Sequence, residues 1–208
     1  EPIPQNLQPL IETVAEWEAD IGLATDGDAD RFGVITSKGD FVSPHEAFAL
    51  LILHLHKNKG WRGGVVKTAS VCNIVTRVAE KLGSPIYETA VGFKNICELM
   101  LKEDILIGGE ESGGAGFKNH VPERDGILAS LFILEMMAME EKSIDELLKE
   151  LKDEFGEVHY DRIDLTYDKP DRMELVPRLQ SNPPRQVCGL KVGRVSTYRG
   201  VEVVNGIK

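Results

Sequence analysis

Cysteine, aromatic residues and clustered positive charge are all scarce in this chain. Its three cysteines, Cys72, Cys97 and Cys188, lie far apart over 208 residues with no Cys-x-x-Cys pair. That excludes a disulfide framework and a thiolate metal site, and fits a reducing, cytoplasmic setting. Aromatics make up 6% of the residues, the net charge is −10, and no basic run carries interleaved aromatics. This balance argues against nucleic acid as a partner. The longest apolar run, Ala47 to Leu53, is followed by the polar His54 and His56 and falls well short of the roughly 18 residues a membrane span needs, so no membrane partner is expected either. The opening residues lack the charged-then-apolar build of a secretory leader. At 42% hydrophobic, the chain can still bury a core for one or two domains. In so acidic a protein, any anionic ligand must be held by local cations.

The densest chemistry stands at Thr25-Asp26-Gly27-Asp28-Ala29-Asp30-Arg31-Phe32, where three carboxylates at alternate positions meet one arginine. Two like charges about 4 Å apart repel by roughly 4 kcal/mol at an effective dielectric near 20, so converging carboxylates call for a counter-charge. Oxygen-only ligands favour Mg²⁺ or a related hard cation over zinc. A solvated acidic hairpin is the plainer alternative. An EF-hand loop fails, because Arg31 and Ser37 stand where it needs Gly and Glu. The apolar run Ile21 to Thr25 before Asp26 also resembles the start of phosphoaspartate phosphatases, with Asp30 at odds with their pattern.

Spacing predicts an opening helix capped by Asn6, with Pro9 in its first turn, and then a hairpin of Ile21–Thr25 and Phe32–Thr36 presenting the acidic loop at its tip. After a short Phe41-Val42 strand, Ser43-Pro44-His45-Glu46 reads as a capping box opening a helix to about Lys59. Strands at 65–68, 86–89 and 105–107 then alternate with helices at about 73–82 and 95–102. Helices from Arg124 to about Glu141 and, behind a second capping box at Ser143, to about Phe155 complete an α/β unit, expected to be a three-layer α/β/α sandwich with a mixed sheet. Beyond Glu157 the pattern changes to a strand at Val158–Leu165, a helix at Asp171–Leu179, and valine-rich strands ending at Val204. Boundaries are expected near residues 44 and 157. His54 and His56, two apart on a helix, point to different faces and read as structural.

A second constellation follows the strand at 105–107: Gly108-Gly109-Glu110-Glu111-Ser112-Gly113-Gly114. Acids and a hydroxyl at the carboxyl end of a strand sit where α/β sheets bind ligands, and a carboxylate can accept hydrogen bonds from adjacent sugar hydroxyls. Thr89 to Lys94 likewise follows a strand, and places Lys94 at a helix start suited to phosphate. Lys118, His120 and Arg124 are expected to gather cations at the same edge. Singly, each of these is also an ordinary surface group.

In order, Thr25 to Arg31, Glu88 to Lys94 and Gly109 to Gly113, with Arg124-Asp125-Gly126-Ile127 as a fourth segment, resemble the α-D-phosphohexomutases, the phosphoglucomutase and phosphomannomutase family. The resemblance implies an intramolecular phosphotransferase of four domains around one cleft. It makes residues 1–43 the end of a metal-binding second domain, 44–156 the sugar-binding third domain, and 157–208 a linker and the approach to a fourth. It implies Asp26, Asp28 and Asp30 as Mg²⁺ ligands, Arg31 near the phosphoryl group, and Glu110 and Ser112 on the hexose hydroxyls. Lys94 would reach the phosphosugar, with Gly92 and Arg124 beside it, and a hexose 1,6-bisphosphate would serve as intermediate and activator. Some relatives carry a histidine where Gly114 stands, so no general base is named.

The family's Ser-His-Asn-Pro phosphoserine loop and Arg-x-Ser-Gly-Thr phosphate clamp are not found in these residues. Ser70, in Lys67-Thr68-Ala69-Ser70, reads as a strand-end residue, not the nucleophile. The chain opens at Glu1 without methionine and closes inside a Val-rich run, so a fragment, inactive alone and lacking the first and fourth domains as partners, is the expectation. A stand-alone, non-catalytic sugar-phosphate-binding module is the alternative. Glucose, mannose and glucosamine phosphates are not distinguished.

Overall fold

A computed structural model describes residues 1–159, 166, 168, 171 and 174–192, and the backbone of 201–203. The chain divides into two compact units, Glu1–Tyr160 with Gly200–Lys208, and Asp161–Arg199.

In the first unit, a 3-10 turn at Pro4–Asn6 leads into α1 (Gln8–Trp17). The expected Asn6 cap does not form: Leu7 holds the N-cap position, and the Asn6 amide instead donates to the Glu1 carbonyl. The antiparallel hairpin of β1 (Ile21–Thr25) and β2 (Phe32–Thr36) follows, extended by β3 (Phe41–Val42). Pairing of Thr25 with Phe32 closes the hairpin directly below the acidic turn. One face of this sheet packs Ile35 against Leu7, Leu10 and Val14 around α1.

Ser43 opens α2 (Pro44–Lys57) with the expected capping box: the Glu46 amide donates to Ser43 Oγ and the Ser43 amide to Glu46 Oε2. Next come β4 (Gly64–Thr68), α3 (Asn73–Lys81), β5 (Ile86–Thr89), α4 (Phe93–Lys102) and β6 (Ile105–Gly109). A short strand that the sequence pattern does not anticipate, β7 (Ala115–Phe117), then returns antiparallel to β6. The helices α5 (Gly126–Glu140) and α6 (Ile144–Phe155) follow, the latter behind the second capping box at Ser143. The main sheet has the order β10-β5-β4-β6-β7, with β10 at Val201–Val203; β4 lies parallel to β5 and β6, and the edge strands are antiparallel.

The mixed sheet lies between two helical layers. On one side Val66 and Ile105 meet Phe93, Ile96 and Leu99 of α4. On the other, Val65 and Ile107 join the large core formed with α2, α3, α5 and α6. This is the expected three-layer α/β/α sandwich. Central β4 is buried at every position, as a strand covered on both faces must be. Helix α5 also packs against β1 and β2, so residues on both sides of position 44 share one compact unit. Among the described residues, no helix is long and apolar enough to cross a membrane.

His54 is buried, with Nε2 2.9 Å from Glu135 and Nδ1 3.2 Å from the Asn58 amide, whereas His56 is partly exposed. The three cysteines are unpaired thiols. In the second unit, α7 (Leu175–Ser181) occupies part of the helix expected at 171–179, and β8 (Gln186–Val187) pairs with β9 (Leu190–Lys191). The strand expected at 158–165 lies, beyond His159, outside the described residues, as do residues 193–200 and 204 of the valine-rich strands expected up to Val204.

Candidate active site

The Asp26–Arg31 turn bends tightly because Ala29 adopts a left-handed conformation (φ 57°) and its amide donates to the Asp26 carbonyl. Carboxylate oxygens of Asp26, Asp28 and Asp30 consequently come within 4.8 Å of one another. Arg31 folds back over them: its amide donates to Asp26 Oδ1 (3.2 Å), and its Nε lies 2.6 Å from Asp26 Oδ2 and 3.4 Å from Asp30 Oδ1. The other arm of the guanidinium reaches Glu1 at 3.1 Å. Burial pushes the Asp26 carboxyl upward, but the Arg31 amide and the Arg31 charge outweigh it and hold the group below the ordinary carboxylate range.

Two of these oxygens, Asp26 Oδ2 and Asp30 Oδ1, are buried and, among the described residues, make no aligned hydrogen bond, the ion pair with Arg31 Nε being their close polar contact. A hard cation coordinates several such converging oxygens at once. The donor set therefore fits a divalent ion of the Mg²⁺ type.

The second acidic turn, Glu110–Gly114, joins β6 to β7. It is closed by the Glu110 amide on the Gly114 carbonyl (2.9 Å) and the Gly113 amide on the Glu110 carbonyl (3.2 Å). Glu110 is nearly buried; Oε1 accepts from the Gly92 amide at 3.2 Å and Oε2 lies 3.5 Å from Arg124. Burial raises its pKa, and Arg124 and the Gly92 N–H offset this only in part.

The two turns are stitched together. Phe32 N donates to the Gly113 carbonyl (3.2 Å), and Arg31 and Gly114 form an isolated antiparallel bridge. Gly113 has φ 91°, and a Cβ there would lie 2.6 Å from the Phe32 carbonyl oxygen, so the contact needs glycine. Arg124 completes the join, its Nη2 lying 2.6 Å from Asp30 Oδ2 while the guanidinium stands over the Phe93 ring at 5.5 Å. A Cβ on Gly114 would come within 2.4 Å of Arg124 Cδ. The space beside Gly114 is thus filled by the arginine stem.

Asp26, Asp28, Asp30, Arg31, Arg124, Glu110 and Gly92 are brought together. Lys94 is exposed in the first turn of α4, beside Gly92, and makes no ion pair among the described residues. Ser112 is half-buried in the turn, with no side-chain hydrogen bond among the described residues.

Of the three expected cations, only Arg124 reaches the acidic groups. Lys118 pairs with Asp104 and donates to the Arg62 carbonyl at the opposite end of β6, because three β7 residues carry the chain about 10 Å back down the sheet. His120 lies 2.8 Å from Asp125, the residue that caps α5.

The sequence alone gives no role to several further groups. Ser70, just past β4, donates to the Glu111 carboxylate and sits 3.0 Å from the Thr68 hydroxyl. Beneath them Lys67, almost fully buried, donates to the Val71 carbonyl and pairs with Glu88 at 2.5 Å. Phe93 reads in the sequence only as part of a motif; an aromatic one residue before a helix-start lysine is its one available signal.

Comparison with known proteins gives this geometry a family. The family model for phosphoglucomutase/phosphomannomutase alpha/beta/alpha domain III matches residues 43–155, and that for domain II matches residues 1–39. Phosphoglucomutase 1 of Drosophila melanogaster is 35% identical over 159 residues, covering 74% of this chain and 28% of that protein. Phosphoglucomutase/phosphomannomutase of Thermococcus kodakarensis is 35% identical over 151 residues, covering 73% of this chain and 33% of that protein. The crystal structure of a Thermus thermophilus protein assigned as a phosphomannomutase superposes with a TM-score of 0.71 at 44% identity, over 75% of this chain and 36% of that one. The matched region thus spans about a third or less of these relatives' length. The chain belongs to the phosphoglucomutase/phosphomannomutase family.

Proposed function

We propose that this chain supplies the metal-binding and sugar-binding loops of a mutase that interconverts hexose 1-phosphate and hexose 6-phosphate. In this reading residues 1–43 contribute the metal hairpin, 44–156 the sugar-binding domain, and 157–208 the linker and approach to a further domain. The observation that carries the proposal is the junction itself: the converged carboxylates of Asp26, Asp28 and Asp30 stand one arginine, Arg124 on Asp30, away from the buried Glu110.

Asp26, Asp28 and Asp30 would hold Mg²⁺, which when bound offsets charge on a phosphoryl group in transfer. Glu110 accepts from sugar hydroxyls while the Gly92 amide fixes one of its oxygens, and Ser112 can donate or accept. Lys94, exposed at the start of α4 with the backbone N–H groups of the first turn, takes the phosphate that is not reacting. Arg31 neutralises the phosphoryl group on the metal side. A loop that grips hydroxyls leaves both ends of the sugar free, so it can hold the substrate in either orientation. A bisphosphate formed by the first transfer could then turn and return its other phosphoryl group to the serine donor. Such transfer depends mostly on positioning and charge neutralisation. These 208 residues contain no Ser-His-Asn-Pro loop, so the donor serine is assigned to another part of the protein, and no turnover is expected of these residues alone.

The test is a coupled mutase assay on the protein in its natural reading frame, with glucose 1-phosphate and mannose 1-phosphate in turn, Mg²⁺ and a priming hexose bisphosphate. Turnover reduced at least about 100-fold by either Asp28→Asn or Glu110→Gln, the scale of losing one positioned electrostatic group, is the expected result. Turnover indifferent to both substitutions would overturn the assignment.

A further inference from the structure

We infer that Arg124 is a positioning residue that couples the metal hairpin to the sugar loop, so that ion binding at one is felt at the other. The inference rests on the reading of Asp26, Asp28 and Asp30 as a metal site, and adds to it a route between the two halves of the site.

Arg124 is fixed before it meets any ligand. The next residue, Asp125, donates its amide to the Ala115 carbonyl of β7 (2.9 Å) and caps α5 through Oδ1 on the Leu128 amide (2.8 Å). Gly126 donates to the Ala29 carbonyl (2.9 Å) in the metal hairpin. The arginine stem runs through the space left by Gly114, and the guanidinium rests over Phe93. Its two ends then diverge to two carboxylates on different elements, Nη2 to Asp30 Oδ2 at 2.6 Å and Nη1 to Glu110 Oε2 at 3.5 Å.

Each carboxylate is thereby oriented. With Oδ2 held by Arg124, Asp30 keeps its buried Oδ1 3.4 Å from Arg31 Nε, within the carboxylate cluster. With Oε2 facing Arg124, Glu110 keeps Oε1 on the Gly92 amide. Gly92 is the N-cap of α4, whose first turn carries Lys94. A single path, Asp30 to Arg124 to Glu110 to Gly92, therefore runs from the hairpin tip to the helix start assigned to phosphate.

The two contacts are unequal, and that makes the path responsive. Arg124 now favours Asp30, its nearer partner. When Asp30 shares its charge with a cation, its hold on Nη2 weakens and the guanidinium turns toward Glu110, which then presses on the Gly92 amide. By linkage, a ligand that changes the charge around Glu110 changes affinity at the hairpin by the same factor. Arginine suits this role because its planar fork reaches two carboxylates at once, which a lysine ammonium does not.

The test follows backbone amide resonances of the ¹⁵N-labelled chain during Mg²⁺ titration. Gly27 in the hairpin reports ion binding directly, and Gly92 reports its transmission. In the unmodified chain both are expected to shift with one midpoint. Arg124→Gln keeps the stem over Phe93 but loses the charge that competes with the ion for Asp30; its Gly27 midpoint should move to about 10-fold lower Mg²⁺, the direction linkage requires for a lost competing cation, and Gly92 should no longer respond. Arg124→Lys keeps the charge; it should bind Mg²⁺ nearly as well yet transmit little to Gly92. A Gly92 shift of unchanged size in Arg124→Gln at saturating Mg²⁺ would overturn the coupling while leaving the metal site standing. No Gly27 shift in the unmodified chain would remove the metal site, and the coupling with it.

Discussion

The Asp26–Arg31 turn crowds three carboxylates against an arginine, whereas the Glu110–Gly114 turn buries one carboxylate among glycines. Both close antiparallel hairpins, and they touch through Phe32 and Gly113. Their electrostatics run in opposite directions. In the first, arginine contacts keep Asp26 ionised against burial; in the second, burial prevails and Glu110 resists ionisation. The first turn is built to hold positive charge. The second holds a poised acceptor that gains partners when neutral hydroxyls arrive.

The seam between the turns is the most sensitive place to break this arrangement. Gly113→Val forces a side chain onto the Phe32 carbonyl at a positive-φ position, and should cost about 3 kcal/mol in urea unfolding, the upper range for strain and overpacking. An unchanged unfolding midpoint would show that the turns do not depend on one another.

Asp26→Asn should cost about 2 kcal/mol at neutral pH, the scale of hydrogen bonds to a charged group, since it leaves Arg31 partly unpaired. Because the folded pKa of Asp26 is depressed, its contribution is present above the ordinary carboxyl value of 3.8 and is lost as pH falls through the lower folded value. The penalty of the substitution should therefore shrink in acid, and a penalty constant from pH 7 to pH 3 would refute the ion pair.

Glu110→Gln should move stability the other way. A carboxyl with a raised folded pKa favours the fold most below its ordinary value of 4.5, and that contribution is lost as pH rises through the raised value. The neutral amide should thus raise stability at pH 7, by no more than about 1 kcal/mol, even though it impairs sugar binding. A destabilised variant at pH 7 would mean that Arg124 and Gly92 outweigh burial.

The smallest effect is expected far from both turns, at buried His54. Burial lowers its pKa against the opposing pull of Glu135, with Lys59 adding to the lowering and Glu140 opposing it. The unfolded chain therefore takes up the proton first, and stability should begin to fall as pH drops below the ordinary imidazole value of 6.5. Thermal unfolding of His54→Gln should show a flatter profile between pH 7 and pH 5; a profile as steep as that of the unmodified chain would place the titration elsewhere.

Much of this scaffold was legible in the sequence because local signals and global pattern agreed. Both capping boxes form at Ser43 and Ser143, and the strands at 65–68, 86–89 and 105–107 lie in one sheet. Asn6 failed as a cap because it lies inside the 3-10 turn through which the chain enters α1, so that Leu7 takes the N-cap position. Strand β7 was missed because Ala-Gly-Phe is too short and too small to show an alternating pattern. The convergence of Asp26, Asp28 and Asp30 could be read from their spacing alone. The aim of long side chains could not: nothing in the sequence tells that Lys118 turns to Asp104 while Arg124 spans Asp30 and Glu110.

The most direct test of the account is Mn²⁺ titration of this chain by electron paramagnetic resonance, with Mg²⁺ as competitor. One bound ion per chain, displaced by Mg²⁺ and lost in Asp26→Asn, is the predicted result, with a dissociation constant weaker than about 1 μM because the ligands come from a single open turn. Absence of a bound ion, or binding that survives loss of the Asp26 charge, would contradict it.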